Sequence, residues 1–263
     1  MSENEFYIGW KPELPPRSAK LVQRFILTLL IAIPALAIAL VYYQRGFASS
    51  TFDLAHPITL EGTIYLRPAP FLVHAATGQQ LLLVAPGKFG GKKSIESIEK
   101  KIGTSLDGKK VQAKGILIYH DGKTILELQE AKLLSDQQES SAKPTPVNLG
   151  KVLLRGEITD PKCLLGSMRP AEGKPHLDCA VRCIAGGITP VLKVSNQFGD
   201  TEYYILSAAN GQSIQEALLP CVGQGVQICG TLYQHGDWLM LETTPGDIKK
   251  INKLSLNQAT MCH

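Results

Sequence analysis

The sequence predicts a mainly β protein. One N-terminal transmembrane helix is followed by two tandem copies of a small β unit, and the second copy carries a cysteine-rich insertion. Three observations lead there. Residues 25–43, FILTLLIAIPALAIALVYY, are an unbroken apolar run. Two stretches 115 residues apart, VQAKGILIYHDGKTILELQ and VQICGTLYQHGDWLMLETT, repeat one pattern. Residues 160–190, DPKCLLGSMRPAEGKPHLDCAVRCIAGGITP, have no counterpart in the first copy.

The apolar run contains 19 residues and no charge. At about 1.5 Å per residue it spans a bilayer core as a helix. Pro34 is tolerated in such a helix, and Tyr42 and Tyr43 fall where an interfacial aromatic belt belongs. The apolar core of a cleaved signal peptide would be shorter, about 7–15 residues. Lys11, Arg17, Lys20 and Arg24 precede the run and only Arg45 follows it closely. The positive-inside rule then leaves residues 1–24 in the cytoplasm. Everything after a linker at 44–56 faces the outside, the periplasm if the membrane is the inner membrane of a bacterium.

A net charge of +4, partly supplied by the anchor flank, gives no reason to expect a nucleic-acid partner. The lysines between Lys88 and Lys123 read as a solvated face. The GGKKS stretch at 90–94 lacks the first glycine of a phosphate loop and the buried strand that would lead into it.

In the repeat, Val111, Gln112, Gly115, Leu117, His120, Leu126 and Glu127 match Val226, Gln227, Gly230, Leu232, His235, Leu241 and Glu242. Asp121-Gly122 and Gly236-Asp237 are hairpin turn pairs, so His120 and His235 read as turn residues. Trp238 and Tyr233 read as packing. Upstream, LEGTI at 60–64 parallels LRGEI at 154–158, GQQLLLV parallels GDTEYYIL, and SIESIEKKIG parallels SIQEALLP. Each unit is thus strand, strand, strand, helix, strand, strand. This order resembles the OB-fold, a five-stranded β-barrel with one helix. The resemblance implies two tandem OB-like domains, at 57–134 and 149–250. The polar, proline-bearing segment 135–148 links them, and a tail covers 251–263. It implies no ligand, because fold does not fix function. The layout also resembles that of periplasmic haem chaperones. Their histidine-and-tyrosine haem signature is absent, so haem is not implied.

All six cysteines follow the anchor. An even number in an oxidising compartment predicts disulfides, with 15 pairings open. Cys163, Cys179, Cys183, Cys221 and Cys229 are the candidates. Cys163 is expected to bridge to Cys179 or Cys183, Cys221 and Cys229 flank the start of a strand, and Cys262 is expected to be free. His176, Cys179 and Cys183 follow an i, i+3, i+7 spacing that puts them on one helix face. With Cys163 they make a Cys3His set suited to zinc, and Met168 would adapt it to copper(I). The insert has no C-x-x-C for a thioredoxin-like centre and no C-x-x-C-H for covalent haem. No nucleophile motif or paired carboxylate predicts an enzyme. The sequence therefore predicts a non-enzymatic accessory or scaffold protein of the bacterial inner membrane. It would hold an envelope protein or membrane complex through the insert, with Met168, Arg182, Gly186 and Gly187 at the contact. The alternative is metal binding or thiol redox chemistry, with zinc or copper at Cys163, His176, Cys179 and Cys183.

Overall fold

The apolar run forms helix α1 (Pro16–Tyr43). It starts well before the predicted residue 25. Pro16 suits a first helical position because its missing N–H would be unpaired there in any case. The Ala19 amide already reaches the Pro15 carbonyl at 2.9 Å, and the basic turns that follow have nothing to stop them. Residues Pro16–Tyr42 are long and apolar enough to cross a membrane. The computed structural model describes residues 14–43, 50–138, 145–166, 168, 170–196, 200–251 and 262; for Tyr43, Ser50, residues 135–138 and Asn210 it describes the backbone alone. The remainder of the predicted cytoplasmic segment (1–13), of the two linkers (44–49 and 139–144) and of the tail (252–261 and 263) lies outside the described residues.

The chain from Ser49 onward is a separate unit built on two sheets. The first uses β1 (Ser50–Phe52), β2 (Ile58–Tyr65), β3 (Phe71–His74), β4 (Gln80–Ala85), β5 (Phe89–Gly90), β6 (Lys109–His120) and β7 (Lys123–Gln138), with α2 (Gly91–Ile102) between β5 and β6. The chain continues through β8 (Val147–Thr159), α3 (Pro161–Leu165), α4 (Gly173–Ala185), β9 (Val191–Ser195) and β10 (Thr201–Ser207). It ends with α5 (Gln215–Leu218), β11 (Gly225–His235), β12 (Trp238–Glu242) and β13 (Ile248–Lys250).

In the second sheet β8 pairs with β9, β9 with β10, β10 in parallel with β12, β12 with β11, and β11 returns to β8. Five strands close into a barrel, and β13 extends β11. In the first sheet β2 pairs with β3, β3 with β4, β4 in parallel with β7, and β6 with both β7 and β2. The predicted hairpins are present: His120 faces Lys123 and His235 faces Trp238 across their turns. Asp121 and Gly122 both adopt positive φ (51° and 74°), the conformation that two-residue hairpin turns select.

Three apolar clusters hold the unit. One fills the first sheet under α2, with Leu81, Leu83, Ile95, Val111 and Leu126. Another fills the barrel, with Ile158, Ile184, Leu192, Val226 and Leu241. The third joins the sheets: Phe71, Leu82, Val84 and Ile125 meet Leu164, Leu165, Ile188, Ile205, Trp238 and Met240. Strand β4 explains how this is possible. All six of its residues are buried, Leu81 and Leu83 facing one cluster and Leu82 and Val84 the other. A strand covered on both faces loses the alternation of a half-exposed one, which is why it reads QLLLVA.

Polar contacts reinforce the junction. Trp238 Nε1 donates to the Gln80 carbonyl at 3.2 Å, and the Gln80 amide donates to Asp237 at 3.0 Å. His235 contacts the Gln80 side chain at 3.0 Å and stacks on Phe71 at 5.8 Å between centroids. His235 is thus a residue of the sheet–sheet contact and not simply a turn residue. Trp238 is packing, as its sequence context predicts.

Candidate metal centre

The insert leaves the barrel at the end of β8. Asp160 caps α3: its Oδ1 accepts from the Cys163 amide at 2.8 Å, and Pro161 occupies the first turn. This cap fixes where Cys163 points. The chain then enters α4 at Gly173, whose φ of +69° suits glycine. The Gly173 amide donates to Glu157 Oε1 at 2.6 Å. Lys193 pairs with Glu172 beside it. The predicted helix is present as α4 and carries all three residues: His176 and Cys183 are buried and Cys179 is half-buried.

The sulfurs of Cys163, Cys179 and Cys183 lie within 4.8 Å of one another. Cys163 Sγ and Cys179 Sγ are 3.8 Å apart. A disulfide needs about 2.05 Å, so this pair is unbridged. Two thiolates at about 2.3 Å from one tetrahedral zinc sit about 3.8 Å apart, so the separation fits a shared metal ion. Cys183 is buried and the other two are half-buried.

His176 stands behind this trio. Asp160, Cys163 and His176 form a second group within 4.8 Å, joined to the first through Cys163. His176 Nε2 and Asp160 Oδ2 are 3.0 Å apart and both residues are fully buried. The Cys163 thiol is pushed far above the usual thiol range. The largest cause is its hydrogen bond to Cys183, followed by burial and the Asp160 charge. The trio therefore holds a proton at Cys163 that a metal ion would have to displace.

The first sheet reaches the cluster as well. Lys88 Nζ is 3.3 Å from Cys179 Sγ, and this contact raises the Lys88 pKa. Lys162, next to Cys163, pairs with Glu127 at 2.6 Å and donates to the Ala85 and Gly87 carbonyls, each at 2.7 Å. The Gly90 amide donates to the Gly186 carbonyl at 3.1 Å. A Cβ on Gly90 would run into the Gly187 carbonyl, and one on Gly186 into the Lys88 carbonyl.

Of the expected contact residues, Gly186 and Gly187 therefore face the first sheet. Arg182 is exposed, and Met168 is 43% exposed and outside both ligand groups. The cysteine pairing differs from expectation. Cys229 on β11 is bridged to Cys262, whose Cα lies 5.9 Å away, so Cys262 is not free and Cys229 is not available to Cys221. Cys221 sits in a short turn packed on the barrel core and is a free thiol.

Asp160, Lys88 and Lys162 were not among the predicted site residues. Asp-Pro ahead of an apolar stretch is a readable helix start and was the available signal for Asp160. Nothing in the sequence announces the two lysines, whose partners lie 35 to 91 residues away. The chain matches no protein-family model, and no curated protein is significantly similar to it.

Proposed function

We propose that this is a membrane-anchored binding protein for a thiophilic metal ion, held by Cys163, Cys179 and Cys183 with the His176–Asp160 pair behind Cys163. The observation that carries it is the three-sulfur cluster, all within 4.8 Å of one another, in which the 3.8 Å between Cys163 and Cys179 suits two sulfurs sharing one ion. Zinc and copper are the metals such a donor set selects. The apolar helix supports anchoring, and its basic flank supports a cytoplasmic N-terminus with the β unit in a bacterial periplasm. The strand circuit β2–β3–β4–β7–β6 repeats the order of the closed barrel, which supports two tandem OB-like barrels descended from one unit.

The thiol cluster favours this reading over a scaffold role for the insert; of the residues expected at a scaffold contact, Gly186 and Gly187 are spent on the first sheet, while Met168 and Arg182 are exposed. Binding is favoured over catalysis by the absence of any nucleophile motif. The test is to isolate the full chain anaerobically in detergent, measure its metal content, and map its bridges and thiols by mass spectrometry. One equivalent of zinc or copper is expected, lost in Cys163→Ser, Cys179→Ser and Cys183→Ser, with Cys229–Cys262 the bridge found. Metal-free protein bridged between Cys163 and Cys179 would overturn the metal reading in favour of an oxidised pair, structural or redox-active, for which their proximity is the argument.

A further inference from the structure

Resting on that reading, we infer that the first sheet completes the centre and selects its metal: Lys88 is the counter-charge that fits the site for copper(I) over zinc(II). The coordination sphere supports this. Three sulfurs lie together, while His176 groups only with Asp160 and Cys163. Both Asp160 oxygens are engaged, one capping α3 and one on His176. Zinc favours four ligands, whereas a soft monovalent ion is satisfied by thiolates. Three thiolates around a monovalent ion also leave one more uncompensated negative charge than around a divalent ion. The ammonium group of Lys88, 3.3 Å from Cys179 Sγ, is placed to offset it.

The backbone that carries Lys88 is held close to the thiols, within reach of its side chain. The Gly90 amide holds the Gly186 carbonyl, Lys162 holds the carbonyls of Ala85 and Gly87, and the glycines at 90 and 186 permit no side chain at the contact. The turn bearing Lys88 is therefore pinned on both sides to the insert bearing the thiols. The first sheet is then a part of the centre and not a spacer. Lys88 acts here as a specificity-determining residue and is not itself a ligand.

The experiment titrates copper(I) and zinc(II), each against a chelator of known affinity, into the reduced full chain in detergent. Wild type is compared with Lys88→Met and Lys88→Arg. One unit charge at about 4 Å in water-like surroundings corresponds to about a fivefold change in an equilibrium constant. Lys88→Met is expected to weaken zinc(II) about fivefold and copper(I) about thirtyfold. Lys88→Arg is expected to keep both within about twofold, since it restores charge at the same place. Equal losses for the two metals, or no loss for either, would overturn the role of Lys88 while leaving metal binding standing. Failure of the wild type to bind either metal would remove both readings. Circular dichroism of each variant separates these outcomes from misfolding, and a misfolded Lys88→Met rescued by Lys88→Arg without metal selectivity also counts against the inference.

Discussion

Two connections leave a first strand in this molecule and treat it very differently. Between β2 and β3 the chain uses five residues, 66–70, and merely turns. Between β8 and β9 it uses thirty-one, residues 160–190, and builds two helices, a helix-capping carboxylate, a buried histidine and three clustered thiols. The longer connection also does mechanical duty. Leu164, Leu165, Ala171, Cys183 and Ile188 enter the cluster that joins the sheets, while Ala180 and Ile184 enter the barrel. The chemistry and the cohesion of the unit therefore share one segment, and a change aimed at one will be felt by the other.

Replacing residues 160–190 by a five-residue turn would break this comparison most severely. Each large apolar side chain contributes about 1.5–3 kcal/mol on burial, and several would go at once from a unit whose net stability is expected at about 5–15 kcal/mol. The expected outcome is loss of near-ultraviolet circular dichroism and of a cooperative urea transition. A shortened chain that still unfolds cooperatively would show the insert to be an appendage.

Lys162→Met is the next largest. It strands buried Glu127 and two carbonyls, for a loss of about 3 kcal/mol in urea denaturation. An unchanged midpoint would mean that this lysine does not tie the insert to the first sheet. Gly186→Ala should cost about 2–3 kcal/mol, because the added methyl meets the Lys88 carbonyl in a tight backbone contact. Gly78→Ala is the control: its φ of +70° is strained for alanine but nothing lies nearby, and about 1 kcal/mol is expected. Equal effects at the two glycines would deny the close approach of insert and first sheet.

The smallest effect concerns pH. Burial is the chief reason that the Glu157 pKa is raised, with the Gly173 hydrogen bond opposing. The folded chain thus keeps this proton to a higher pH than the unfolded chain. Within that window stability rises as pH falls, and at neutral pH the ionised carboxylate is a net cost. Glu157→Gln keeps an acceptor for the Gly173 amide and removes the charge. Its Tm should be higher by about 1–2 °C at pH 7, and the gain should vanish by pH 4. A lower Tm at pH 7 would show that the carboxylate stabilises its surroundings.

How far the sequence could be read follows the range of the interactions. The apolar run, the hairpin turns and the i, i+3, i+7 spacing of His176, Cys179 and Cys183 are local patterns, and all three appear in the structure. The insert was legible because the spacing between similar stretches changes across it, from 94 residues (60 to 154) to 115 (111 to 226). The arrival of Cys163 at the trio depends on the Asp160 cap, which sequence marks only as a helix start. Lys88, Lys162 and the Cys229–Cys262 bridge depend on tertiary approach, for which spacing carries no information. The fusion of the two sheets left one faint trace, the unalternating QLLLVA of β4, and that trace was compatible with any fully buried strand.

The Cys229–Cys262 bridge has a practical consequence for anyone handling this chain. It fastens Cys262 to the wall of the barrel, across a separation of 33 residues. A tag appended after His263 will therefore sit beside β11 until the sulfurs are separated. The same bond is a recorder of the protein's history. Its oxidation state in freshly lysed cells, trapped by alkylation, reports the chemical climate in which the domain matured, without any reporter being fused to it.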